Sequence, residues 1–347
     1  MAEMKSARLQ ALNASVLQSA LRGAWQRDRG PVKPEEIRPS VWRWNDMLPI
    51  LMEAGDLVPI DEVVKMRTLH MVNSSQAVPL GASRSFAAML QHVNGGEITE
   101  SHRHTATSVY FMIQGSGLYT TAEGEQQFME PGDLLTQPTW TWHGTTNPGT
   151  KPAVWFTAMD TSLMQFLDVW FAEKFPDGHS QPITKPDGYH LKRSGALRPG
   201  ITLDGSGPLP VKYPWRDTIA ALEDLAKAGE TDPHDGVVLD YVDPQNGGPT
   251  TSTLHCRVQL LGPGEETRSH RHTCSTVYFV VRGSGETRVG KNKAEESVLQ
   301  WGERDCFNVP TWYWHRFRNR SPDEAAILFS VSDRPLLQAL RLYREQH

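Results

Sequence analysis

Two stretches of this chain put histidines where a metal could use them. SHRHTATSVYFMIQGSG begins at Ser101, and SHRHTCSTVYFVVRGSG begins at Ser269. In an extended strand residues i and i+2 point to one side. His102 and His104 therefore share a face with Arg103 turned away, and His270 and His272 do the same. A third histidine follows each pair, because PTWTWH ends at His143 and PTWYWH at His315. Three neutral imidazole nitrogens on one face suit a divalent transition metal and leave coordination positions open. A structural zinc site would be closed by a fourth protein ligand, and no obvious residue supplies one. A hydrogen-bonded surface strand explains one isolated HxH. It does not explain an HxH with a distant WH, written twice.

The elements that must carry these histidines read as short strands. From Ser85 onward the chain runs FAAMLQHV, GGEIT, TSVYFMIQG, GLYTTAEG, EQQFMEPGD, DLLTQP and PAVWFTAMD, separated by turns such as EGE and PGD. This pattern fits an all-β sandwich or barrel better than alternating strands and helices. After Thr250 the same order returns as TLHCRVQLL, TVYFVVRG, GETRVG, CFNVP and AAILFSV. A hairpin four residues longer near GKNKAE accounts for the wider spacing between His272 and His315. The reading is two copies of one small β-barrel, a fold dominated by β-structure with a helical N-terminal arm and a few packing helices. Residues 1–80 form the arm, 81–175 the first, catalytic barrel, 176–235 a linker and helix, and 236–347 the second barrel.

Helical spacing of Leu9, Leu12, Val16 and Leu21 marks one helix, and Met47–Ala54 marks another. SLMQFLDVWFAEKF, at 162–175, is apolar at helical spacing and ends at Pro176, so it is expected to be a helix closing the first half. The stretch 176–214, rich in Pro, Gly and Asp, is a linker or an arm lying across the neighbouring barrel. Asp217 is a candidate cap for the helix TIAALEDLAKA.

Composition bounds the function classes. The chain has 347 residues, 38% hydrophobic and 22% charged, and a net charge of -5. That size allows two domains of ordinary size. No dense basic block invites nucleic acid, and no run of apolar residues is long enough to cross a membrane. Cys256, Cys274 and Cys306 form neither a disulfide framework nor a Cys-based zinc motif, so reduced thiols in a cytoplasmic protein are expected.

HRHT, the GSG and EPGD turns and the closing PTWTWH resemble a cupin domain. The two-cupin arrangement is similar to the gentisate and salicylate 1,2-dioxygenases and their relative acting on 1-hydroxy-2-naphthoate. SVWRWNDMLPILMEAGDLVP resembles the N-terminal arm of those enzymes and LFSVSDRPLLQALRLYREQ their C-terminus, so the resemblance spans nearly the whole chain. Many cupins carry a glutamate four residues beyond the second histidine. Ser108 and Thr276 stand there instead, as in the three-histidine ferrous sites of this dioxygenase family.

The resemblance implies Fe(II) on His102, His104 and His143, O2 and a small aromatic 2-hydroxy acid as partners, and cleavage of the bond between ring carbons 1 and 2. It implies a homo-oligomer, in the family often a tetramer, and no organic cofactor. His270, His272 and His315 are a candidate second metal site, either active or structural. Gln91 matches a glutamine that lines the family pocket, and Arg67 resembles an arginine that binds substrate carboxylate. Tyr110 stands where most relatives have a carboxylate-gripping arginine, and a phenol cannot replace a guanidinium fork. Thr145 stands where WHxH would place a second histidine. Trp140 and Trp142 have the shape for stacking on a ring, though a place in the strand core suits either equally well. Both departures favour a 5-substituted salicylate, such as the 5-nitro compound, over gentisate. A standard gentisate or 1-hydroxy-2-naphthoate dioxygenase and a bicupin isomerase or decarboxylase are the alternatives.

Overall fold

Strand-forming runs of Val, Phe, Tyr and Thr become two β-barrels in the computed structural model, which describes residues 2–18, 36–60, 66–73, 81–176, 180–195, 208–292 and 294–347. The first barrel has a six-stranded sheet in the order Lys212–Tyr213, Leu134–Gln137, Ser108–Gln114, Ala153–Met159, Ala87–Val93, Arg67–His70. Facing it are Ala172–Lys174, His102–His104, His143–Thr146, Tyr119–Ala122 and Glu125–Phe128. The second barrel repeats the plan. Val41–Trp42, Cys306–Val309, Thr276–Arg282, Ala326–Ser332, His255–Leu261 and Val237–Asp240 form its large sheet.

Along each large sheet one face fills its own barrel and the other meets the partner sheet of the other barrel. Phe111, whose neighbour Tyr110 faces inward, stacks on Phe329 with ring centroids 4.3 Å apart. Phe156 and Phe279 complete this shared core. Polar ties run across it symmetrically. Asp160 accepts from Thr107 N at 2.7 Å and from Thr253 Oγ1 at 2.6 Å. Asp333 accepts from Ser275 N and from the Ser85 hydroxyl. Burial pushes both carboxyls up to about 6.

The leading segments cross between the barrels. Val41–Trp42 pairs with Cys306–Phe307 of the second barrel, and the helix that follows, Trp44–Leu57, packs on the first. Lys212–Tyr213 pairs with Leu134–Leu135 of the first barrel, and helix Trp215–Ala228 packs on the second. The amide at each helix start is held by a turn aspartate: Trp44 N by Asp305 at 2.9 Å, Trp215 N by Asp133 at 2.8 Å. Asp217 is therefore not the cap. Pro214 occupies the cap position, and Asp217, the third residue of the helix, acts as a first-turn negative charge.

The expected helix at 162–175 is also corrected. Thr161–Phe166 is helical, Asp168 then takes a left-handed φ of 58°, and Val169 N returns to Met164 O. Aspartate tolerates that conformation and it ends the helix. Ala172–Lys174 goes on to pair with His102–His104, because the edge of that strand needs a partner. After helix Arg334–Ala339, Arg341 turns likewise and Glu345–Gln346 pairs with Arg271–His272. The described parts of the 176–214 stretch lie across the first barrel. Gln181 bonds Gly124 N, Thr121 O and Trp142 O, and the amides of Tyr189 and His190 reach Glu125.

The chain divides into two units, Met1–Glu36 and Ile37–His347, and the first is described by itself. It contains helix Ala2–Gln18, which covers Leu9, Leu12 and Val16; Leu21 lies outside the described residues. Among the described residues no helix is long and apolar enough to cross a membrane.

Candidate metal centre and active site

The HRH strand and the strand opening at His143 are neighbours, with His102 directly opposite His143. Cross-strand partners share a face, so the three imidazoles converge. Their ring centroids lie 4.5 Å (His102–His143), 4.9 Å (His104–His143) and 5.6 Å (His102–His104) apart. One ligand atom from each falls within 4.8 Å of the others.

Backbone carbonyls set which nitrogen faces inward. His102 Nδ1 meets Glu100 O at 3.0 Å, His104 Nδ1 meets Ala106 O at 2.7 Å, and His143 Nδ1 meets Thr141 O at 2.9 Å. Each Nδ1 carries the proton when it donates there, which makes the unprotonated Nε2 the ligand atom. His143 Nε2 is buried with no hydrogen-bond partner. Burial, and then the neighbouring histidines, holds His143 well below the ordinary histidine range and brings His104 down to about 4. Three neutral nitrogen donors aimed at one point fit Fe(II). Among the described residues no carboxylate joins the group, so a bound dication would keep its full charge.

The inner wall beside the triad is built from alternate strand positions. Tyr110 is 2% exposed, its ring 6.5 Å from that of His143 and 6.0 Å from that of Trp155. Desolvation pushes its phenol up to about 12, so it stays a neutral donor. Thr145 follows His143 on the same face, and its hydroxyl lies 3.0 Å from that of Thr120. Gln91 Oε1 accepts from Trp155 Nε1 at 2.9 Å and from Thr157 Oγ1 at 2.6 Å. Since the indole only donates, these contacts fix the amide's orientation. Gln91 Nε2 is left as a donor.

Two expectations about side chains are overturned. Arg67 lies opposite His92, on the strand face that turns away from Gln91. It is 7% exposed and bidentate to Glu97 at 2.7 and 2.9 Å, with Nε on Val58 O at 2.7 Å. All of its forks are engaged, so neither a carboxylate grip nor a solvated charge describes it. The adjoining Met66 takes the inward position, packed with Tyr110 and Trp155. Trp140 and Trp142 likewise face away from the triad. They clamp the Arg103 guanidinium from 4.4 and 4.5 Å, and Arg103 bonds Glu173 at 2.7 Å. Strand alternation explains this, because Arg103 and Trp142 are the outward neighbours of metal-facing histidines.

The structure brings further residues close to the triad. Trp170 stacks on His104 at 5.7 Å, but the sequence hid it inside an expected helix. Thr120, Trp155 and Thr157 could have been found, since each is an inward position of a strand already recognised.

In the second barrel His270, His272 and His315 also bring one ligand atom each within 4.8 Å. Ring centroids lie 4.2 to 5.7 Å apart.

The Cupin domain family model matches residues 89–159 and 257–331, the strands that carry both triads. The chain is 41% identical over 315 residues to a 5-aminosalicylate 1,2-dioxygenase of Comamonas sp, covering 89% of this chain and 82% of that one. It is 33% identical over 309 residues to gentisate 1,2 dioxygenase 1 of Aquipseudomonas alcaligenes, covering 88% and 86%. The solved salicylate 1,2-dioxygenase from Pseudaminobacter salicylatoxidans superposes with a TM-score of 0.84 at 28% identity over 97% of both chains. Two duplicated barrels, a triad without carboxylate and this extent of similarity together place the chain in the bicupin family of gentisate and salicylate 1,2-dioxygenases.

Proposed function

We propose that the protein is an Fe(II)-dependent dioxygenase that opens the ring of a 2-hydroxybenzoate between carbons 1 and 2, with His102, His104 and His143 holding the iron. The convergence of three buried or half-buried Nε2 donors with no carboxylate carries this reading. Ferrous iron there supplies a chelation site for an anionic substrate and a route for its electrons to O2. The chain's own residues do the positioning. Gln91 Nε2 and the Tyr110 hydroxyl donate toward the substrate oxygens, Met66 and Trp155 enclose the ring, and Trp170 covers the His104 side.

The ring we propose is a salicylate carrying a 5-substituent such as amino or nitro. Thr145 leaves space and no titratable group beside His143, and the Comamonas relative at 41% identity is a 5-aminosalicylate 1,2-dioxygenase. Gentisate and 1-hydroxy-2-naphthoate are the competing rings. The isomerase or decarboxylase alternative expects a carboxylate in the ligand set, and among the described residues none joins His102, His104 and His143. A homo-oligomer is part of the proposal, supported by the exposed run Phe166, Leu167, Val169 and Phe171. Free, buried Cys256, Cys274 and Cys306 support a reducing, cytoplasmic setting.

The test is oxygen uptake by anaerobically iron-loaded protein given salicylate, gentisate, 1-hydroxy-2-naphthoate, and 5-amino-, 5-nitro- and 5-chlorosalicylate in turn. Stoichiometric uptake fastest with a 5-substituted salicylate is expected. Fastest uptake with gentisate would remove the substituent argument, and no uptake with any ring would remove the dioxygenase reading.

A further inference from the structure

We infer that the second barrel holds its own divalent transition metal in a site closed to aromatic substrates, so that one chain carries two metals of which one can meet the ring. The inference stands on the second barrel's own residues and does not depend on which substrate the first one takes.

Two of the three donors are prepared as in the first barrel. His272 Nδ1 meets Cys274 O at 3.0 Å and His315 Nδ1 meets Tyr313 O at 3.0 Å, which turns both Nε2 lone pairs inward. His315 is fully buried, and its Nε2 has no hydrogen-bond partner. Burying an imidazole nitrogen without a partner costs free energy that a metal bond would offset. His270 is the least fixed of the three. Arg268 O, two residues before it, lies 3.2 Å from His234 Nδ1 instead, and His270 Nδ1 is buried without a partner.

What differs is the space around the donors. Phe317 follows His315 where Thr145 follows His143. Its ring is fully buried, 5.7 Å from the His315 ring and 5.3 Å from that of Tyr278. At the mouth, Glu345 lies opposite His272 where Ala172 lies opposite His104. The Glu345 carboxylate is held by the Tyr343 hydroxyl at 2.7 Å. Arg257 lines the cavity as well, tied to Asp235 at 2.8 Å. The cavity that His270 and His272 line is about 40 Å³. A cavity that admits benzene measures about 150 Å³, whereas one water needs roughly 10–15 Å³. The remaining coordination positions thus fit water or an anion of a few atoms, not a benzoate.

Cobalt(II) is the probe, because its visible bands report coordination without any turnover. Full-length protein is loaded anaerobically, desalted and assayed for metal, with circular dichroism as the check on folding. Wild type should hold two cobalt ions per chain, His143→Ala one, and His143→Ala/His315→Ala none. Adding salicylate should leave the bands of His143→Ala unchanged and shift those of wild type. Cobalt-free His143→Ala beside wild type holding one ion would overturn the second metal. One ion whose bands move with salicylate would overturn the closure. If the double variant fails to fold, the folded single variant still decides both points. Absence of oxygen uptake by the wild type would count against the dioxygenase reading and leave these stoichiometries unaffected.

Discussion

Single side chains decide what the first barrel can grip. Gln91 is the best placed of them, since Trp155 and Thr157 hold its carbonyl and leave its amide nitrogen to donate. Gln91→Glu keeps an acceptor for both partners and loses that donor. KM for the preferred salicylate should rise about tenfold, or about 1.4 kcal/mol, with iron content unchanged. Steady-state kinetics beside metal analysis checks this, and an unchanged KM would remove Gln91 from the binding wall. Thr145 governs the other side. Thr145→His puts an imidazole beside His143 and fills space, so kcat/KM should shift toward gentisate over 5-aminosalicylate by about tenfold. The same ratio in variant and wild type would show that this position does not read the ring.

At the scale of elements, the crossed leading segments are the feature to test. Gly132 has φ 92°, and a Cβ there would lie 2.3 Å from Trp215 Cγ at the start of the Trp215–Ala228 helix. Gly132→Ala therefore meets both backbone strain and a rigid indole, and about 2–4 kcal/mol of stability should be lost. On the pseudo-symmetric side, Asp305 accepts from Trp44 N, Gly302 N and Arg43 Nη1. Asp305→Ala leaves the first two buried or half-buried amides without a partner and should cost about 2–3 kcal/mol. Denaturant melts measure both, and a midpoint like wild type in either would mean that the clasp is not needed for stability.

For the whole molecule, the barrel junction makes stability depend on pH. Asp160 and Asp333 each titrate at about 6 because burial penalises the charged form. An ordinary aspartate in the unfolded chain titrates near 3.9. Between those values the folded state holds the extra proton, so this contribution is full below about pH 4 and lost as pH rises through 6. Asp333→Asn mimics the protonated form, with its amide oxygen for Ser275 N and its amide nitrogen for the Ser85 hydroxyl. The variant should gain on wild type by about 2–3 kcal/mol between pH 4 and pH 7. A difference that stays flat over that range would mean that Asp333 is ionised throughout.

The sequence by itself determined the duplication, the all-β class and both histidine triads. These are local signals: a period of two along a strand sorts HRH into two inward histidines and one outward arginine, and PTWxWH recurs in each half. Tyr110 and Thr145 were singled out by the resemblance to the dioxygenase family, as positions where this chain departs from its relatives. Only the tertiary structure decided what depends on neighbours far along the chain. Arg67 differs from Met66 by one position, yet pairing with His92 turned it outward onto Glu97. Trp140 and Trp142 looked like stacking partners for a ring until their strand face put Arg103 between them. Residues 167–174 carried helical spacing but became a turn and a strand, because the open edge beside His102–His104 outweighed local propensity. The crossing of Val41–Trp42 and Lys212–Tyr213 onto opposite barrels left no local mark, since a two-residue strand is specified by the edge it joins.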